Sequence, residues 1–207
     1  MLSKTQSVAV VGINCELVEV EVDLGSGFPS FTIVGLPDSS VQEAKERMRS
    51  AIKNSGLEFP STRRITVNLA PANLRKEGSA YDLPMTVAIL LAQMGKKQTA
   101  SFDPANTLLV GELSLEGGLR HTTGVLSAAI FAKDRGIKTI FIPVANLAEA
   151  SLVESLQIIP LQNLKQLVDH ILGQKLIPPA EGRTLDQALA RTMTTDLDLS
   201  LVRGQEH

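Results

Sequence analysis

A chain of 207 residues with 43% apolar side chains is long enough for one domain of about 150 to 175 residues and a tail. One cysteine, Cys15, excludes an internal disulfide and a multi-cysteine zinc site, and three scattered histidines (His121, His170, His207) do not supply the missing ligands. No secretory-type apolar start and no run of about 18 apolar residues is present, so a cytoplasmic protein with no membrane partner is expected.

In chain order, residues 6 to 36 read as three strands, Ser7 to Gly12, Leu17 to Leu24 and Phe31 to Gly35. In the second, Val18, Val20, Val22 and Leu24 alternate with Glu19, Glu21 and Asp23, the period of a sheet with one wet face rather than a metal site. Ser40 followed by Glu43 reads as a capping box opening a helix. That helix carries Val41, Ala44, Met48, Ala51 and Ile52 on one face and Lys45, Arg49 and Lys53 on another, and Gly56 ends it. A strand from Arg64 to Leu69 follows, then a loop over 72 to 80, then a buried helix from Asp82 to Met94 with Pro84 in its first turn. Strands are predicted at 107–111, 113–115, 139–143 and 157–161, and helices at 123–135, 145–152 and 164–172. This alternation implies an α/β domain over 1–174. Pro178-Pro179 opens a polar linker over 175–207, with a short helix expected around Leu185 to Thr192.

The net charge of −2 hides an uneven distribution. From Val41 to Lys76 eight basic residues (Lys45, Arg47, Arg49, Lys53, Arg63, Arg64, Arg75, Lys76) face three acidic ones (Glu43, Glu46, Glu58), a local balance of +5 against −7 elsewhere. Asymmetry of this kind marks a polyanion-facing patch, although solvated helix faces also produce it. Arg49, Lys53, Arg63, Arg64, Arg75 and Lys76 are the candidate DNA contacts, sequence-independent in kind. The alternative for Arg75 and Lys76 is pairing with Glu77, Asp82 or an adjacent protomer. Aromatics are scarce (six Phe, one Tyr, no Trp), which argues against a base-stacking surface. The Gly95-Lys96 pair lacks the first glycine of a phosphate-binding loop and reads as a helix end, and His121 reads as a surface residue.

The stretch Asn68-Leu-Ala-Pro-Ala-Asn-Leu-Arg-Lys-Glu-Gly-Ser-Ala-Tyr-Asp-Leu-Pro84, with Phe31-Thr-Ile-Val-Gly-Leu-Pro37 and Arg63-Arg-Ile-Thr-Val67, closely resembles the amino-terminal domain of the ComM/YifB family of magnesium-chelatase-like proteins. Asp198 through Val202 to Gly204-Gln-Glu206 resembles that family's lead-in to its ATPase module. The resemblance implies a hexameric AAA+ ATPase and DNA helicase acting in branch migration, recombination and natural competence. ATP and magnesium would then be cofactors of the full-length protein and none would be held by this fragment. A more distant resemblance, carried by Val110-Gly-Glu-Leu-Ser-Leu115 and Gly136-Ile-Lys-Thr-Ile-Phe-Ile-Pro143, is to the Lon protease catalytic domain. It implies the two-layer α/β fold that Lon shares with the second domain of ribosomal protein S5.

Lon activates a serine hydroxyl with a lysine, because an unassisted hydroxyl is a weak nucleophile at neutral pH. By this resemblance the serine position falls on Ala80, with Ser79 one register away, and the lysine position falls on Ala128. The nearest lysine, Lys133, lies five residues on, roughly 140° round a helix. The dyad is therefore expected to be absent, with Ser79 as the nucleophile of an alternative peptidase reading. A third reading, in which the domain only holds the ring together, is open at this point.

Overall fold

The computed structural model of the chain describes residues 1–12, 14–95 and 102–180. The ATPase lead-in, the short helix expected at 185–192, Lys96 and His207 lie outside the described residues.

Strands β1 (Leu2–Val11) and β2 (Asn14–Gly25) form an antiparallel hairpin paired from Leu2↔Asp23 to Val11↔Asn14. β3 (Ser30–Val34) leads into helix α1 (Ser39–Asn54), β4 (Arg64–Ala70) and helix α2 (Asp82–Met94). Next come β5 (Thr107–Leu109), a small ribbon of β6 (Glu112–Leu113) with β7 (Leu119–Arg120), and α3 (Val125–Asp134). The described chain closes with β8 (Thr139–Pro143), a short α4 (Leu147–Ala150), β9 (Gln157–Leu161) and α5 (Leu164–Ile171). Seven strands make one mixed sheet in the order β3-β4-β2-β1-β5-β8-β9.

Alternation sorts the core onto two faces. Val18, Val20, Val22, Ile65, Val67 and Leu69 point to α1 and α2, whereas Leu108, Ile140, Ile142 and Ile158 point to the opposite side, where α3 and α4 pack. Leu109, Phe141, Ile159 and Leu161 return to the first side and meet α2 and α5. The expected two layers hold over β3 and β4, and α3 and α4 add a layer over the rest of the sheet, reaching Cys15 and Leu17 of β2. Helix α2 bridges both halves, with Met85, Ala88 and Ile89 in one cluster and Leu83, Val87 and Leu91 in another, which is why it is apolar all round. Beyond α5 the chain stays on the sheet: Ile177 is buried and the Ala180 N–H donates to the Ile158 carbonyl.

Several boundaries differ from the sequence reading. α1 begins at Ser39 and its cap is Asp38, whose carboxylate accepts from the Val41 N–H at 2.8 Å, so the Ser40–Glu43 capping box does not form. The same carboxylate accepts from Gly78 N–H at 3.1 Å, tying the loop after β4 to the start of α1. Asp38→Ala should therefore cost about 1–2 kcal/mol of unfolding free energy in urea, at the upper end for a lost cap because two donors are orphaned. The helix expected at 145–152 is a 3-10 turn (Val144–Asn146) followed by one turn of α-helix, because buried Asn146 bonds the Thr122 backbone instead of continuing a helix. No helix among the described residues is long and apolar enough to cross a membrane.

Candidate functional site

Two surface depressions hold the residues singled out from sequence. The larger, about 540 Å³, lies between the end of β1 (Val10, Val11), the loop carrying Arg75 and Ser79, and the Glu112–His121 ribbon. Its floor is rigid because Gly111 N–H donates to the Ala80 carbonyl and Leu83 N–H to the Gly111 carbonyl, both at 3.0 Å. Ser79 Oγ donates to Glu112 Oε2, and the other Glu112 oxygen accepts from Arg120 Nη1 at 3.3 Å. Ala80 is half-buried and packs against the cluster that contains the fully buried Ala128. Ala80 and Ala128, which the resemblance sets against Lon's serine and lysine, thus share one apolar cluster. His121 is exposed, 3.9 Å from Glu149, as a surface residue.

Beneath this depression lies an ion pair that the sequence reading did not identify. Asp82, at the start of α2, is fully buried and accepts from Arg47 Nε at 2.7 Å and Arg47 Nη2 at 3.0 Å, and from the Leu113 N–H at 3.2 Å. Burial pushes its carboxyl up to about 6, against the smaller downward pull of Arg47. The only available signal was one acid opening a wholly apolar helix, and its cation comes from α1 and not from Arg75 or Lys76.

The six predicted DNA contacts do not converge. Lys76 is fully buried: its Nζ donates to the Pro71 carbonyl, its N–H to the Leu36 carbonyl, and burial lowers its pKa from the ordinary lysine value. It is a strut of the loop and no part of a surface row. Arg75 is exposed and paired with Glu77 at 3.0 Å, at the far end of β4 from Arg63 and Arg64. The six steps from Arg64 to Ala70 at about 3.3 Å each put about 20 Å between those ends. Arg64 points to the open face of the sheet, since its neighbour Ile65 points to the helices, and its guanidinium lies against Gly25.

What does converge is a second depression of about 250 Å³, lined by Lys45 and Arg49 of α1 and by Arg63, with Phe31 and Phe59 beside them. Lys53, one turn beyond Arg49, is exposed in the last turn of α1. Among the described residues Lys45, Arg49, Lys53, Arg63 and Arg64 make no ion pair. The acidic row of β2 is a wet sheet surface as expected, with Lys4 bridging Glu19 and Glu21, and no metal-ligating group of three occurs among the described residues. Gly95 caps the end of α2, as read from sequence.

Against known proteins, the family model described as subunit ChlI of Mg-chelatase matches residues 20–146. An uncharacterized protein of Mycobacterium tuberculosis is 43% identical over 83% of this chain and 33% of its own length. Competence protein ComM of Haemophilus influenzae is 38% identical over 100% of this chain and 40% of its length. YifB of Salmonella typhimurium is 42% identical over 96% and 37%. Lon protease of Haemophilus influenzae is 28% identical over 83% of this chain and 21% of its length, in keeping with a mixed sheet of Lon type. The chain thus spans between a third and two fifths of the length of the first three of these relatives. With a family model covering more than half of its residues and ComM and YifB matching nearly all of them, the chain belongs to the magnesium-chelatase-like ChlI family.

Proposed function

We propose that the chain is the amino-terminal accessory domain of a cytoplasmic, hexameric AAA+ DNA motor acting in recombination and natural transformation, a reading supported by its similarity to a relative named Competence protein ComM. In this reading it hydrolyses nothing itself, helps to assemble the ring and guides DNA without reading sequence. ATP and magnesium serve the ATPase portion of the whole protein. The observation that carries the DNA role is the set of five cations, Lys45, Arg49, Lys53, Arg63 and Arg64, that make no ion pair among the described residues. Their charge is available to phosphates, and phosphate contacts orient a backbone without selecting bases.

Fluorescence anisotropy of the chain against a labelled single strand, a duplex and a four-way junction tests this. Binding should weaken with salt, and replacing Lys45, Arg49, Lys53, Arg63 and Arg64 by glutamine should lower the log–log salt slope by about one for each phosphate that is no longer neutralised. A chain that assembles but ignores DNA at every salt concentration would instead be a ring scaffold.

The alternative, a serine peptidase using Ser79, is favoured by one contact, the Ser79–Glu112 hydrogen bond. A carboxylate shared with Arg120 is a weak base for a hydroxyl, which makes this the lesser reading. Labelling by a fluorophosphonate that disappears in Ser79→Ala would establish it.

A further inference from the structure

We propose that the Lys45–Arg49–Arg63 depression and the adjoining β2–β3 turn bind single-stranded DNA, with phosphate in the depression and a base stacked on Phe28. This rests on the DNA-guiding reading and narrows it to one end of the molecule and one strand state.

Three of the six phenylalanines, Phe28, Phe31 and Phe59, gather here, so the low aromatic content does not exclude a stacking surface. The Phe31 and Phe59 rings are nearly parallel, 13° apart with centroids 6.4 Å apart, and Phe59 is buried. Lys45 Nζ sits 6.0 Å from the Phe31 centroid and Arg49 Cζ 5.9 Å from that of Phe59. A cation resting on an aromatic face is held without being neutralised. With Arg63 and the hydroxyl-bearing Ser30 and Ser61, these groups line a depression of about 250 Å³, large enough for a phosphodiester and too small for a base pair. A concave site with three cations and two hydroxyls, and with no ion-paired carboxylate among the described residues, is complementary to phosphate.

Phe28 stands beside it with 95% of its surface exposed, between Gly27 (φ 119°) and Pro29, which itself lines the depression. A solvated ring next to a phosphate site offers a platform for one base. A duplex already stacks its bases internally and would have to unstack to use that face. A single strand has base faces to offer, and this decides for the single strand. An exposed aromatic among cations also suits an anionic lipid surface, so vesicles form a second arm of the test.

The experiment measures anisotropy on a short labelled oligothymidylate and on a duplex of equal length, with sedimentation on phosphatidylserine-containing vesicles alongside. Phe28→Ala should weaken single-strand binding by about 5- to 150-fold and leave duplex binding within about twofold. Lys45→Gln with Arg49→Gln and Arg63→Gln should lower the single-strand salt slope by about two. Lys133→Gln with Arg135→Gln, exposed at the end of α3 on the opposite side of the sheet, should change single-strand binding by less than about twofold. These side chains are at the surface, and circular dichroism checks that each variant is folded. Unchanged single-strand binding in Phe28→Ala, an equally large effect in the Lys133/Arg135 variant, or a Phe28 effect on vesicles alone overturns the proposal and leaves the DNA-guiding reading standing. Failure of the unaltered chain to bind any DNA removes both.

Discussion

Asp82→Ala is expected to lower the unfolding free energy by about 3–5 kcal/mol, because it strands Arg47, four-fifths buried, beside a cavity and leaves the Leu113 N–H without its acceptor. Urea titrations followed by circular dichroism measure this directly. The same carboxyl supplies a pH signature. Its folded pKa of about 6 lies above its ordinary value of 3.8, so between those values the folded chain holds this proton more tightly than the unfolded chain does. The contribution of this group is therefore complete below about pH 4, is lost as pH rises toward 6, and is flat above. Two pH units correspond to about 3 kcal/mol. Asp82→Asn has no proton to release, so the stability of the native chain minus that of this variant should shrink by that order between pH 4 and pH 7. A difference independent of pH would mean that Arg47 holds the carboxylate ionised throughout.

Gly35→Ala should be nearly as damaging. Gly35 closes β3 with φ 101°, and a Cβ there would lie 2.1 Å from the Leu69 carbonyl oxygen of the adjacent strand. Backbone, unlike a side chain, has no rotamer by which to move aside, so β3 must separate from β4. Strain at positive φ and overpacking each cost about 1–3 kcal/mol, which together predict a loss of about 2–6 kcal/mol. The following carbonyl, that of Leu36, holds the Lys76 N–H, so the loop of Arg75 and Ser79 should loosen too, visible as faster amide exchange over 74–80. A variant of native stability would show that the strand pair can spread without cost.

What could be read from sequence depended on whether a buried face was apolar. β8 and β9 have the predicted bounds because runs such as Thr139-Ile-Phe-Ile-Pro143 are buried on both faces. β1 starts five residues earlier than expected because its inward face is Ser3, Thr5 and Ser7, and no hydrophobic period announces it. Ser3 Oγ and Thr5 Oγ1 donate to the Ala88 and Pro84 carbonyls of α2, so hydrogen bonds replace apolar contacts there. The basic cluster was legible as composition and illegible as geometry. Arg63 and Arg64 are consecutive yet serve a depression by α1 and the far face of the sheet, because Arg63 stands in the bend before β4 and Arg64 is the first strand residue, pointing opposite to Ile65. Lys76 was misplaced for a related reason: its backbone N–H is tied to the Leu36 carbonyl, and its ammonium turns inward to the Pro71 carbonyl. The Asp82–Arg47 pair links residues 35 apart, a distance at which no local pattern specifies a partner.

The seam between β1 and β5 sets an order of events during synthesis. β1 meets β2 across a tight turn at Gly12, but meets β5 only through Gln6↔Leu108, about a hundred residues downstream. Closing a loop of that length costs about 4 kcal/mol in chain entropy, against about 1 kcal/mol for the hairpin turn. The β3-β4-β2-β1 half, with α1 and α2, can therefore condense while β5, β8 and β9 are still being translated. It then presents the free edge of β1 and the bare flank of α2 as the template on which the remaining strands assemble.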